Sequence, residues 1–106
     1  MEQKINALTR KVKEARGDKD IETLLDETDR LLNKDSGNLK LLRLRAELNV
    51  KLQKFGLAIN DYKAILLINK HDHPAAAQIE QLQTILKFNN TDIYANPNTN
   101  FDPWLD

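Results

Sequence analysis

The stretch Leu39 to Asp72, LKLLRLRAELNVKLQKFGLAINDYKAILLINKHD, decides how the rest of the chain is read. Its first half sets Leu41, Leu44, Leu48 and Leu52 three or four residues apart, one stripe of a helix, and Leu42, Ala46 and Val50 widen that stripe. Its second half repeats the device with Phe55, Ala58, Ile59, Tyr62, Ile65 and Leu66. The link around Lys54 to Gly56 is short, so the two segments are expected to fold back as an αα-hairpin. Ala46 and Ala58 then have a physical role. A methyl side chain lets two helix axes approach closely, while Phe55, Tyr62 and Ile65 fill the space on either side.

The ordered set Ala46, Phe55, Ala58 and Tyr62, with the pair Arg45-Ala46 in the first helix, resembles a tetratricopeptide repeat (TPR). The stretch departs from that pattern at Ile65, where a small residue is usual, at Asn49, where an aromatic or apolar one is usual, and at Lys70, where Pro often closes the unit. Sliding back by about 34 residues, the period of this repeat, maps Leu42 to Leu8, Ala46 to Val12, Phe55 to Ile21, Ala58 to Leu24, Tyr62 to Thr28 and Ile65 to Leu31. All but Thr28 are apolar, so the earlier segment reads as a degenerate copy. The connector Lys34-Asp35-Ser36-Gly37-Asn38 also resembles the family's Asp-Pro-x-Asn connector, with Ser36 in the Pro position.

The expected architecture is an all-α, TPR-like superhelix in one domain: repeat one over 5–38, repeat two over 39–72, a capping helix over 74–88 and an extended tail over 89–106. The first helix should run from about Gln3 to Arg16, burying Ile5, Leu8, Val12 and Ala15. The second should start near Asp18 to Asp20, where Asp can cap free N–H groups, and bury Ile21, Leu24, Leu25, Thr28, Leu31 and Leu32. Ser36 or Asn38 can cap the third. Pro74 suits the first position of the fifth, with Asp72 or His73 as its cap. That helix offers Ala75, Ala76, Ile79, Leu82, Ile85 and Leu86 to the core and sets Gln78, Glu80, Gln81 and Gln83 opposite, a polar face of the kind that ends a repeat array. Small stand-alone bacterial proteins of the family look similar, closing with an extra helix and then an Asp-aromatic or Asp-Ile-Tyr segment.

Composition narrows the function. At 106 residues the chain can bury roughly two-thirds of its unfolded surface. Sixteen basic residues cancel sixteen acidic ones, which disfavours nucleic-acid binding. With no cysteine there is neither a disulfide framework nor a thiolate metal site. No stretch reaches the roughly 20 apolar residues of a membrane span, and the first residues lack a signal-peptide core, so a soluble cytoplasmic protein is expected. His71-x-His73 has metal-like spacing without a supporting third ligand. No Ser-His-Asp order, Gly-rich phosphate loop or HExxH occurs, so no enzyme and no cofactor is expected.

The resemblance implies a concave surface, lined by the first helices of the repeats, that takes peptides. Its candidate residues are Asn6, Thr9, Lys13 and Arg16 from repeat one and Lys40, Arg43, Glu47, Val50 and Lys51 from repeat two. Their basic bias points to an acidic peptide held by charge-assisted hydrogen bonds. The plainer reading makes them solvated charges paired with the acids of the second helix, Asp20, Glu22, Asp26, Glu27 and Asp29. The family's carboxylate clamp is not expected, because Thr9 and Leu44 occupy two of its positions. The tail carries the apolar anchors Ile93, Tyr94, Phe101, Trp104 and Leu105 among acids. They can cover the last helices, act as a ligand, or enter a neighbour's groove and make a homodimer. That last option gives the alternative function, structural self-association.

Overall fold

In the computed structural model the described residues are 1–89. They form five helices: α1 (Glu2–Glu14), α2 (Asp18–Lys34), α3 (Leu39–Lys51), α4 (Phe55–Ile68) and α5 (His73–Asn89). The protein is all-α, with no strand among these residues. The expectations for the tail, including Ile93, Tyr94, Phe101, Trp104 and Leu105, lie outside the described residues, except that Asn89 closes α5 instead of opening the tail.

Connections of three or four residues force each helix to turn back beside its predecessor. The helix α3 is central, packing most closely on α4 and also on α2 and α1, and α4 in turn carries α5. No extensive packing joins α1 to α4 or α5. The helices therefore pack chiefly on near neighbours in sequence.

The apolar spacing accounts for the core. Ile5, Leu8 and Val12 from α1, Ile21, Leu24, Leu31 and Leu32 from α2, and Leu41, Leu42, Leu44 and Leu48 from α3 are buried. The helix α4 adds Ile59, Tyr62 and Ile65, and α5 adds Ala75, Leu82 and Leu86. Ala46 and Ala58 are wholly inaccessible, while Phe55 is only partly buried. Leu25, Ile79 and Ile85 sit at the margin of the core, and Ala76 is exposed. Thr28, the polar member of the α2 stripe, is buried because its hydroxyl donates to the Leu24 carbonyl at 2.7 Å, so it brings no unpaired donor with it.

Helix ends depart from the sequence reading at α1, at α2 and at the first residues of α5, and agree with it at the caps of α3 and α5. The helix α1 stops at Glu14, and Ala15 is already extended, φ −66° and ψ 133°. The cap of α2 is Gly17, with no side-chain bond; Asp18 and Asp20 lie in the first turn, where their charge favours the positive end of the dipole. Asn38 caps α3, its Oδ1 accepting from the Leu41 N–H at 3.1 Å. Asp72 caps α5, accepting from the Ala75 N–H at 3.0 Å, which puts His73 first and Pro74 second in that helix. Pro74 still sits among the N–H groups that lack a helical partner, so its missing donor costs nothing there.

The joint of the central hairpin is Leu52-Gln53-Lys54, and the Phe55-Gly56 pair belongs to the first turn of α4. The turn works because Gln53 adopts φ 61°. Its N–H bonds to the Val50 carbonyl at 2.9 Å, and the Lys54 N–H reaches the Asn49 carbonyl at 2.8 Å, the paired bonds of a Schellman ending. A side chain in the left-handed region costs roughly 1 to 2 kcal/mol. Gln53→Gly is therefore expected to raise stability by about 1 kcal/mol, read as a higher urea midpoint with an unchanged slope; a lower midpoint would contradict this account of the turn.

Candidate peptide groove

The helices α1, α3 and α5 border a common hollow that Tyr62 of α4 also lines. The cavity measures about 620 Å³ and is lined by Val12, Lys13, Arg43, Glu47, Val50, Lys51, Tyr62, Pro74, Ala77 and Gln78. That is within the size range of ligand-binding clefts, roughly 300–1,000 Å³. Helical spacing explains the lining from α3: Arg43, Glu47, Val50 and Lys51 fall at intervals of three or four and so share one side of the helix.

Five of the groove positions named from the sequence line this cavity: Lys13, Arg43, Glu47, Val50 and Lys51. The other four do not. Asn6 and Arg16 are exposed elsewhere on α1 and the loop after it, and Thr9 turns its hydroxyl to the Ile5 carbonyl at 2.8 Å. Lys40 forms an exposed ion pair with Glu2 at 2.8 Å, linking α3 to α1 outside the cavity, and this contact holds the Glu2 carboxyl below its usual range. The sequence reading missed the contribution of α5 to the groove. Its signal was Pro74, Ala77 and Gln78, one helical turn of small and polar residues at the start of that helix.

The groove is less basic than a tally of Lys and Arg implies. Arg43 is bound to Asp72 at 2.5 Å, and Lys51 donates to the Ala15 carbonyl at 3.1 Å. Asp72 thus serves two elements at once, capping α5 through one oxygen and holding Arg43 through the other. The Ala75 N–H, with Arg43 beside it, keeps its carboxyl below the ordinary value. Of the α2 acids, Asp29 is tied to Arg45 and not to a groove cation. Tyr62 is buried, which together with the nearby Glu47 pushes its phenol up to about 12, so it faces the groove in its neutral form.

Glu47 sits between Arg43, Lys13 and Lys51. Even so its carboxyl is pushed above the ordinary value of 4.5, because burial outweighs the pull of the three cations. The folded state therefore holds this proton longer than the unfolded chain does. The stability linked to it is fully present below 4.5 and is lost as pH rises through the raised value. Asp72 acts in the opposite sense and in a separate window, its contribution fading only as pH falls below 3.8. Glu47→Gln is expected to flatten the stability profile just above pH 4.5 and to leave the protein at least as stable as the parent at pH 7, measured by urea midpoints across pH. A marked loss at pH 7 would mean that the charged form is favoured.

A second constellation lies on the other side of α3 and was not anticipated. Arg45 grips both oxygens of Asp61, Nε to Oδ2 at 2.9 Å and an η nitrogen to Oδ1 at 2.8 Å, and its other η nitrogen reaches Asp29 at 2.9 Å. One guanidinium thus joins α2, α3 and α4. Asp61 and the neighbouring Asn49 are buried. Spacing was the available signal. Residues equidistant from a tight turn lie side by side in a hairpin; 45 and 61 flank the turn at 53, and 29 and 45 flank the turn near 37.

No family model, curated protein or solved structure matches this chain. Among the described residues no helix is long and apolar enough to cross a membrane, and no group of three His, Asp or Glu side chains could hold a metal ion.

Proposed function

We propose that this protein is a TPR-like interaction module that takes an acidic segment of a partner into the groove between α1, α3 and α5. The observation that carries the reading is the composition of the cavity. Val50, Pro74 and Ala77 offer apolar contact over the buried Val12 and Tyr62, while Lys13 and Lys51 supply donors at its border, Arg43 being bound to Asp72. A ligand that matches both parts has an apolar anchor flanked by carboxylates. The row of near-neighbour contacts supports a stacked-hairpin arrangement over a closed bundle, because a closed bundle would pack α1 extensively against the last helices. Rigid helices holding the cations in place spare the receptor an ordering cost on binding.

The test is a titration with a short, fluorescently labelled peptide of Asp residues around a single Leu. Lys13 and Lys51 are the positions to reverse, since altering Arg43 would also strip Asp72 of its partner. Lys13→Glu with Lys51→Glu is expected to weaken binding about tenfold or more, the equivalent of about 1.4 kcal/mol, and binding to the parent should weaken as salt is raised. Equal affinity of parent and variant would reject the groove.

A further inference from the structure

The ligand chemistry that the groove calls for, an apolar anchor between carboxylates, is written into the same chain beyond α5. Residues 101–106 read Phe-Asp-Pro-Trp-Leu-Asp, and after Lys87 the sequence contains three Asp residues, Asp92, Asp102 and Asp106, and no Lys or Arg. The groove opposes this charge with Lys13 and Lys51, Arg43 being held by Asp72, and it offers Phe101, Trp104 and Leu105 the side chains of Val50, Pro74 and Ala77 over the buried Val12 and Tyr62. Connectivity allows the two to meet. The first turns of α5 line the groove, and the helix ends at Asn89, about 18 Å farther along at 1.5 Å per residue from Ala77. The residues from Asn89 to Trp104 span up to about 50 Å when extended, so the return path is covered with slack. Pro103 fixes one backbone angle beside Trp104 and so reduces the ordering needed to dock.

We propose that the segment 101–106 occupies the groove of its own chain, Trp104 seated on the apolar lining and Asp102 and Asp106 beside Lys13 and Lys51, so that a partner binds only by displacing it. This rests on the groove being a binding site for acidic segments. It adds that the site is self-occluded. A tethered segment acts at an effective concentration in the millimolar range, so a free peptide of the same sequence competes poorly with it.

Trp104 is the single tryptophan of the chain, so its fluorescence reports on this contact without a label. In the full-length protein its emission is expected to be blue-shifted and shielded from acrylamide, to the same extent at low and high protein concentration. Lys13→Glu and Lys51→Glu, tested separately with circular dichroism confirming the helices, should each return it to solvent-like emission. An exposed Trp104 in the parent, or shielding that both variants leave unchanged, would overturn the proposal. Shielding that grows with protein concentration would also overturn it, in favour of exchange between two copies.

A second readout separates this proposal from the groove itself. Labelled Phe-Asp-Pro-Trp-Leu-Asp peptide is expected to bind full-length Trp104→Ala at least tenfold more tightly than the parent. Equal binding to both, abolished by Lys13→Glu, would keep the groove and remove its internal occupant. No binding to any form would remove both.

Discussion

Replacing Arg45 with methionine is expected to destabilise the protein by about 2 to 3 kcal/mol. Asp61 would be left in the core with its side chain 8% exposed and no cation beside it. The guanidinium itself is about one-third exposed, which places the effect below that of a fully buried pair. Asp29 provides the internal control. It is half exposed, so Asp29→Ala should cost no more than about 1 kcal/mol although it contacts the same Arg45. Pairing Arg45→Met with Asp61→Leu should recover much of the loss, because the two variants share one interaction. Chemical denaturation of the parent, Arg45→Met, Asp61→Leu, their double variant and Asp29→Ala measures this directly, and additive losses would show that the bidentate contact is not what ties α3 to α4.

The second large effect concerns the methyl-sized contacts. Ala46 and Ala58 have no accessible surface, and α3 and α4 are the most closely packed pair of helices. Ala46→Leu is expected to cost about 2 to 3 kcal/mol by overpacking and to lower Tm by about 10 °C or more. Ala76→Leu adds the same side chain at an exposed position on α5 and should change stability by less than about 0.5 kcal/mol. If Ala46→Leu were equally mild, the interface would have room to spare.

The core was legible in the sequence because helix packing depends on a period. Ile5, Leu8 and Val12, or Leu41, Leu44 and Leu48, declare a buried face wherever the chain turns every 3.6 residues. The joints were less legible because several residues can satisfy the same hydrogen bonds. The sequence sets the link of the central hairpin around Lys54 to Gly56, yet Gln53 takes the left-handed angle, since the backbone bonds to Asn49 and Val50 offset its strain. Capping at Asp72 was one of two options that the sequence left open, and the carboxylate that also binds Arg43 is the one used.

The candidate groove was half legible. All nine candidates were assigned by the register of a repeat; Lys13, Arg43, Glu47, Val50 and Lys51 fall on the cavity lining, whereas Lys40, Asn6, Thr9 and Arg16 fall outside it. Pairing across the groove could not be read, because Arg43 and Asp72 are 29 residues apart and meet only once α4 has turned the chain back. The tie between Arg45 and its two aspartates was present as equal spacing about two turns, a pattern that apolar periodicity does not reveal.

The most direct measurement of the central claim is a backbone amide chemical-shift titration of the full-length Trp104→Ala protein with the Asp-rich peptide. Shifts concentrated at Lys13, Glu47, Val50, Lys51, Ala77 and Gln78 are the predicted result. Shifts confined to the far side of α3, at Asp29, Asn49 and Asn60, or no shifts at saturating peptide, would contradict it.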